Sequence, residues 1–360
     1  MIYFDDYPIQ NKVKERISGG ILNKKLAHAY LFHGTPGCGK EAFALEMAKV
    51  VNCQDADHRP CNTCSSCRKI AQMIHPDIKF IFPTAAAWGA EEIKTRLKIK
   101  AQNPFKHLDL KGHTTIQINR IRELKHEAKF SPYEAQKKVY IVTEADKLTR
   151  EGANSFLKLL EEPPDNLLII LITSAMNAIL ETIRSRCHHL YFPVLTPEDS
   201  MIVIEKYIEA DERIRSITQI TQGNLKAAFE MIDMEDNEIR QQMITFLRAA
   251  ASGDSLKIST VVDAISTKRD KKYLKDLLNL LILWFKDALH LSILGNDARL
   301  INVDFEQEIK KFSDFYPESN FERIVTEIEK AVENVDRNIY NPLILTLLAI
   351  RIKRKLLKKV

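Results

Sequence analysis

Ala29-Tyr30-Leu31-Phe32-His33-Gly34-Thr35-Pro36-Gly37-Cys38-Gly39-Lys40-Glu41 decides the architecture. An apolar run from Ala29 to His33 ends on a Gly-rich turn that completes the pattern G-x-x-x-x-G-K at Lys40. Behind it, Phe43, Ala44, Met47, Ala48 and Val51 recur at helical spacing. Strand, glycine loop and helix in that order make a phosphate-binding loop. Gly34, Gly37 and Gly39 let backbone N–H groups curl round an anion, and Lys40 adds a point charge where the helix start already favours negative charge. With Thr35, Pro36, Cys38 and Glu41 these residues form the candidate nucleotide cradle. In a working enzyme the residue after the lysine is Ser or Thr, whose hydroxyl ligates Mg²⁺. Glu41 stands there instead. Its carboxylate adds negative charge beside a triphosphate, yet in the first helical turn it is stabilised by about 0.3–1 kcal/mol through the helix dipole.

A second metal ligand is expected from an Asp at the end of a neighbouring apolar strand. The candidate strand runs Val139-Tyr140-Ile141-Val142-Thr143-Glu144-Ala145-Asp146 and offers Thr143 at that position. Glu144 falls where a water-activating base would be, and Asp146 lies past the strand end; both also read as a plain strand-to-helix connection. Two altered metal positions on separate segments argue against efficient hydrolysis. A nucleotide is therefore expected to bind weakly or not at all, with Mg²⁺ short of two ligands.

Cys53, Cys61, Cys64 and Cys67 place four thiolates within fifteen residues. Four soft ligands suit tetrahedral Zn²⁺ in a closed structural site, and the absence of a nearby His argues against a catalytic zinc. The C-x2-C-x2-C run also fits an iron–sulfur cluster, and free thiols are the remaining reading. Cys38 and Cys187 have no partner pattern. Clustered cysteines of this kind, in a chain with no N-terminal signal pattern, fit a cytoplasmic protein.

The chain has 360 residues, enough for two or three domains, with 45% hydrophobic and 28% charged residues and a formal charge of +5. Such a charge permits nucleic-acid contact without demanding it. The most apolar stretch, Leu277 to Phe285, is too short to span a bilayer. Asp77–Phe82, Leu167–Thr173 and His189–Phe192 read as further strands, so residues 1–193 alternate strand and helix over a parallel sheet. Residues 84–112 break that rhythm and read as a partly helical surface insertion. After Pro193 the strand signal ends; Thr196-Pro197-Glu198-Asp199 starts a helix with Thr as cap. Leu274, Leu277, Leu278, Leu281, Ile282 and Phe285 keep an i, i+3, i+4, i+7 rhythm. The last helix, from about Pro342, turns basic at Arg351, Lys353, Arg354, Lys355, Lys358 and Lys359; a solvated helix end complementing the dipole is favoured over specific DNA contact.

His28 to Gly34 with Gly37-Cys38-Gly39-Lys40, the four cysteines followed by His75-Pro76-Asp77, Lys138 to Val142, Ala153 to Pro164 and Ile183-Arg184-Ser185-Arg186-Cys187 together resemble the bacterial clamp-loader ATPase family. The resemblance covers about residues 1–193. It implies an AAA+ P-loop module with a zinc loop (53–67), a small helical lid domain (194–238) and a C-terminal helical collar (239–360) of the DNA polymerase III clamp loader. Two subunit types share these motifs: an active gamma/tau type and a delta-prime type with a degraded nucleotide site. Glu41 and Thr143 place the chain on the delta-prime side. The resemblance also makes Arg186 an arginine finger reaching a neighbour's ATP, against the plain reading of a surface Arg at a helix end. Thr173 falls at the family's first sensor and Lys226 at its sensor arginine. The implied partners are the gamma/tau ATPase and delta subunits, a sliding clamp and primer-template DNA met through the assembled complex, with no membrane. The rival readings are a gamma/tau-type ATPase that still turns over, a P-loop kinase of a small acceptor, and a zinc-dependent nucleic-acid-binding module.

Overall fold

Leu167–Thr173, apolar at every position but the last, becomes the middle strand of a parallel sheet with all seven residues buried. The computed structural model describes the chain except residues 1, 109–113, 210, 234–235, 268–270, 296–297, 299, 301, 303–304, 318 and 358–360. Among the described residues the strands are β1 (Ile2–Tyr3), β2 (Ala29–Gly34), β3 (His58–Arg59), β4 (Ile78–Ile81), β5 (Lys138–Val142), β6 (Leu167–Thr173) and β7 (His188–Phe192). Five of them form one sheet in the order β4-β5-β6-β2-β7, all parallel. The five strands anticipated from the sequence are these five, displaced by a residue or so at their ends. β1 and β3, too short to carry a pattern, pair separately.

Contacts divide the chain into two compact units: Met1–Glu209 with Thr221–Glu230, and Ala210–Ile220 with Met231–Val360. Residues 194–238, expected to form a lid, contribute to both.

In the first unit the connections between strands are helical, and β2 lies between β6 and β7, so the chain leaves β2 where the strand order reverses. The carboxyl end of such a strand is where ligands bind in open α/β sheets. Thr196 caps the helix Pro197–Ile204 in a full capping box with Asp199, as its sequence requires. Asp77 does not extend β4. Its carboxylate turns to accept hydrogen bonds from the backbone N–H groups of Tyr133 (2.8 Å), Glu134 (2.8 Å) and Ala135 (2.9 Å). Burial favours the protonated acid, but the three donors outweigh it and hold the carboxyl below its usual range. The ionised form is therefore stabilising above the unfolded carboxylate pKa, and that contribution is lost as pH falls through the lower folded value. Asp77→Ala is expected to destabilise by about 2–4 kcal/mol near neutrality, by loss of charge-assisted hydrogen bonds. Denaturant titrations of the variant and the parent should converge as pH falls below the usual carboxylate range.

The insertion is closed at its neck by an antiparallel bridge between Thr84 and Thr115, and contains the helix Ala90–Gln102. The Arg96 guanidinium lies 3.7 Å over the Trp88 ring centroid. Residues 109–112 of the expected insertion lie outside the described residues.

The second unit is helical. The helix Lys271–Leu294 corrects one expectation: Tyr273–Leu294 is long and apolar enough to cross a membrane by length and composition alone. Its apolar residues are nevertheless core. Leu277, Leu278, Leu281, Phe285 and Ala288 are buried in a cluster with Ile309, Phe321, Ile324 and Ile328. The basic end of the helix Asn341–Leu357 is partly consumed inside this unit. Arg351 pairs with Glu327 at 2.7 Å, Lys355 approaches the same carboxylate at 3.9 Å, and Lys353 donates to the Ala251 carbonyl at 2.5 Å. Lys358 and Lys359 lie outside the described residues.

Candidate nucleotide site, metal centre and trans arginine

The phosphate loop leaves β2 and enters the helix Lys40–Asn52, as its sequence dictates. Gly37 adopts φ 74°, and a Cβ there would stand 1.8 Å from Asn224 Oδ1, so only glycine fits. The loop's carbonyls are held by the protein itself. Leu225 N–H donates to the Gly37 carbonyl at 3.1 Å. Tyr7 donates to the Gly39 carbonyl at 3.0 Å, and Gln10 Nε2 to Cys38 O and Pro193 O, each at 2.9 Å. Lys40 Nζ is folded back onto the loop: it donates to Gly34 O (2.8 Å), Thr35 O (2.5 Å) and Ser174 Oγ (3.2 Å). Cys38 Sγ stands 3.5 Å from the same ammonium, so four acceptors surround its three protons. Burial lowers the Lys40 pKa, with the nearby Cys38 thiol opposing.

Glu41 is buried, at 7% exposure, and does more than cap a helix. It accepts from Thr143 Oγ1 at 2.6 Å, from Lys226 Nζ at 2.9 Å and from Lys100 Nζ. Lys100 is 1% exposed and also donates to the carbonyls of Pro104 (3.1 Å) and Lys106 (2.5 Å), so its three protons have three acceptors. Burial raises the Glu41 pKa, but the Lys100 and Lys226 ammoniums outweigh it and hold the carboxyl well below the usual range. Burial pulls Lys100 down against the attraction of Glu41; Lys226 ends up raised because Glu41 overcomes its burial. The two positions that ligate Mg²⁺ in an active enzyme are thus hydrogen-bonded to each other and neutralised by the chain's own lysines. Thr173 is likewise engaged, donating to Asp146 Oδ1 at 2.6 Å, and Glu144 pairs with Lys147 at 2.7 Å.

These residues do not fit a bound nucleotide as placed. The cavity among Gly37, Lys40, Glu41, Phe105, Thr143 and Lys226 has a volume of about 30 Å³. That is room for about one water, against about 300 Å³ or more for a small-molecule site. Phe105 fills part of the space, its ring stacked 6.3 Å from Tyr7 and edge-on at 6.3 Å to Tyr207. Sequence reasoning missed Lys100, Phe105 and Asn224. A lysine in the last turn of a polar helix reads as a solvated dipole partner, and nothing local marks it as buried.

Cys53, Cys61, Cys64 and Cys67 converge with their sulfurs within 4.8 Å of one another. Backbone N–H groups of Cys61, Cys64 and Cys67 point at the sulfurs of Cys53 (3.3 Å), Cys61 (3.3 Å) and Cys64 (3.4 Å), which favours thiolates. The four residues fit a tetrahedral metal with thiolate ligands. Such a metal would cross-link the end of the helix Lys40–Asn52 to the helix Ser65–Ala71. Cys187 is elsewhere, packed on the sheet cluster, with burial pushing its thiol up to about 12.

Arg186 is exposed and follows the short helix Glu181–Arg184. Its guanidinium donates to Thr182 O at 2.9 Å and pairs with Glu161 at 2.8 Å. Among the described residues its partners all lie away from the phosphate-loop lysine network.

A family model described as DNA polymerase III, delta subunit, matches residues 9–196, more than half of the chain. The matched region includes the phosphate loop, the four cysteines and Ser185-Arg186-Cys187. The chain belongs to this family. Among similar proteins, DNA polymerase III subunit delta' of Bacillus subtilis is 28% identical over 84% of this chain and 84% of its own length. The tau subunit of the same bacterium is 24% identical over 91% of this chain, but the chain spans only 57% of tau. A solved gamma subunit-related protein of Thermotoga maritima shares 15% identity over 95% of this chain and 99% of its own, with a TM-score of 0.44. Within the family, the α/β module followed by helices is the order expected from the sequence, and the nucleotide site departs from that of an ATPase at Glu41 and Thr143.

Proposed function

We propose that the chain is a delta-prime-like subunit of a bacterial DNA polymerase III clamp loader, helping ATP-dependent loading of a sliding clamp onto primed DNA in the cytoplasm. The observation that carries this reading is the pairing of Glu41 with Thr143 at 2.6 Å. The two metal-ligand positions hold each other, so the ring's phosphoryl chemistry is left to its partners. Those partners are gamma/tau-type ATPase subunits and a delta subunit, with the clamp and primer-template DNA met by the assembled complex through backbone phosphates. Arg186, exposed and held by Glu161 and local groups, serves as the arginine offered to the adjacent subunit's ATP. Cys53, Cys61, Cys64 and Cys67 hold one structural Zn²⁺.

Reconstitution with the ATPase and delta subunits tests this. The chain is expected to enter a stoichiometric complex and to be required for clamp loading, while the isolated chain hydrolyses no ATP above background. Steady hydrolysis by the isolated chain, abolished by Lys40→Ala, would instead establish a gamma/tau-type ATPase.

A further inference from the structure

We infer that the phosphate-loop site already has its ligand: the Lys100 ammonium of the chain's own insertion, seated on Glu41 in place of a divalent cation, with Phe105 filling the nucleotide's space. This deepens the delta-prime-like reading and rests on it for the loss of ATPase activity. An active site of this type brings a metal between a hydroxyl after the loop lysine and a carboxylate on the next strand. Here the chemistry is inverted. The carboxylate sits after the loop lysine as Glu41, and the hydroxyl sits just past the strand end as Thr143. A cation is still needed, because an ionised carboxylate buried without one is strongly disfavoured. Lys100 supplies it from fifty-nine residues away and Lys226 supplies a second.

The rest of the insertion completes the closure. Lys100 binds the carbonyls of Pro104 and Lys106, which fixes the turn that carries Phe105. Phe105 is buried, at 8% exposure, and its ring would lie 3.5 Å from a Cβ at Gly39. Asn224 closes the other side over Gly37. A phosphate arriving here must displace Phe105, free Lys40 from Gly34 and Thr35, and separate Lys100 from Glu41. The insertion is thus an internal plug that nucleotide would have to displace.

Calorimetric titration with ATP·Mg²⁺ on the isolated full chain decides it. Wild type is expected to show no saturable binding up to about 1 mM, while Glu41→Thr/Lys100→Ala gains it, and adding Phe105→Ala tightens it a further tenfold or so. Micromolar binding by wild type would overturn the inference, as would a folded double variant that still excludes ATP. Lysine acetylation read by mass spectrometry covers the case of a variant that does not fold. In wild type, Lys100 should resist labelling while the exposed Lys98 reacts, and ATP·Mg²⁺ should change neither; equal rates would overturn the plug. If the chain excludes ATP but fails to join clamp-loader subunits, the plug stands and the functional reading falls.

Discussion

Arg186→Ala, in the complex reconstituted with ATPase and delta subunits, is expected to slow hydrolysis at the ATP site it faces by about 10³-fold or more while leaving assembly intact. The reason lies in charge and exposure. A planar guanidinium neutralises charge spread over a transferring phosphoryl group better than a compact ammonium does, so Arg186→Lys should recover little. In the single chain the side chain is 36% exposed and rests on Glu161, itself 48% exposed. An exposed pair of this kind contributes at most about 1 kcal/mol, so exchanging Glu161 for a phosphate costs little. Steady-state ATPase stimulated by clamp and primed DNA gives the readout. The total rate should fall by the share of that site, and an unchanged rate in a fully assembled complex would remove Arg186 from the mechanism.

Loss of the proposed structural zinc is the other large effect expected. Purified chain is expected to carry about one zinc, on the four-thiolate stoichiometry, and Cys67→Ser to carry none. Cys53 and Cys67 are 0% and 1% exposed, so losing the metal leaves buried thiols with no shared partner inside the module. Structural zinc contributes about 10–16 kcal/mol in isolated finger peptides. Here the loop is anchored to a preformed helix, so a loss of about 3 kcal/mol is expected, or roughly 10 °C in melting temperature for a domain of this size. Metal analysis and melting curves before and after chelation check this. Stoichiometric iron with visible absorbance would replace zinc by a cluster, and unchanged melting without metal would reduce the four cysteines to free thiols.

The sheet was readable because its signals are local. Leu167–Thr173, seven residues apolar almost throughout, reads as a buried strand, and Ala29–Lys40 names its own turn through Gly34, Gly37 and Gly39. The cysteines were readable for the same reason, since four ligands within fifteen residues need little folding to meet. The length of the helix Lys271–Leu294 was not, because polar residues such as Asn279 and Lys286 interrupt the apolar run without interrupting the helix. Nor was the role of residues 84–112. Lys100 looks like any solvated lysine until the fold brings it under Glu41.

The amino-acid sequence by itself determined the phosphate-loop architecture, the four-thiolate cluster and the altered metal positions Glu41 and Thr143, because each depends on residue type and short spacing. Only the tertiary structure decided what became of those positions. A buried carboxylate must find counter-charges, and which lysines supply them is a matter of distance in space: Lys100 and Lys226 lie 59 and 185 residues along the chain from Glu41.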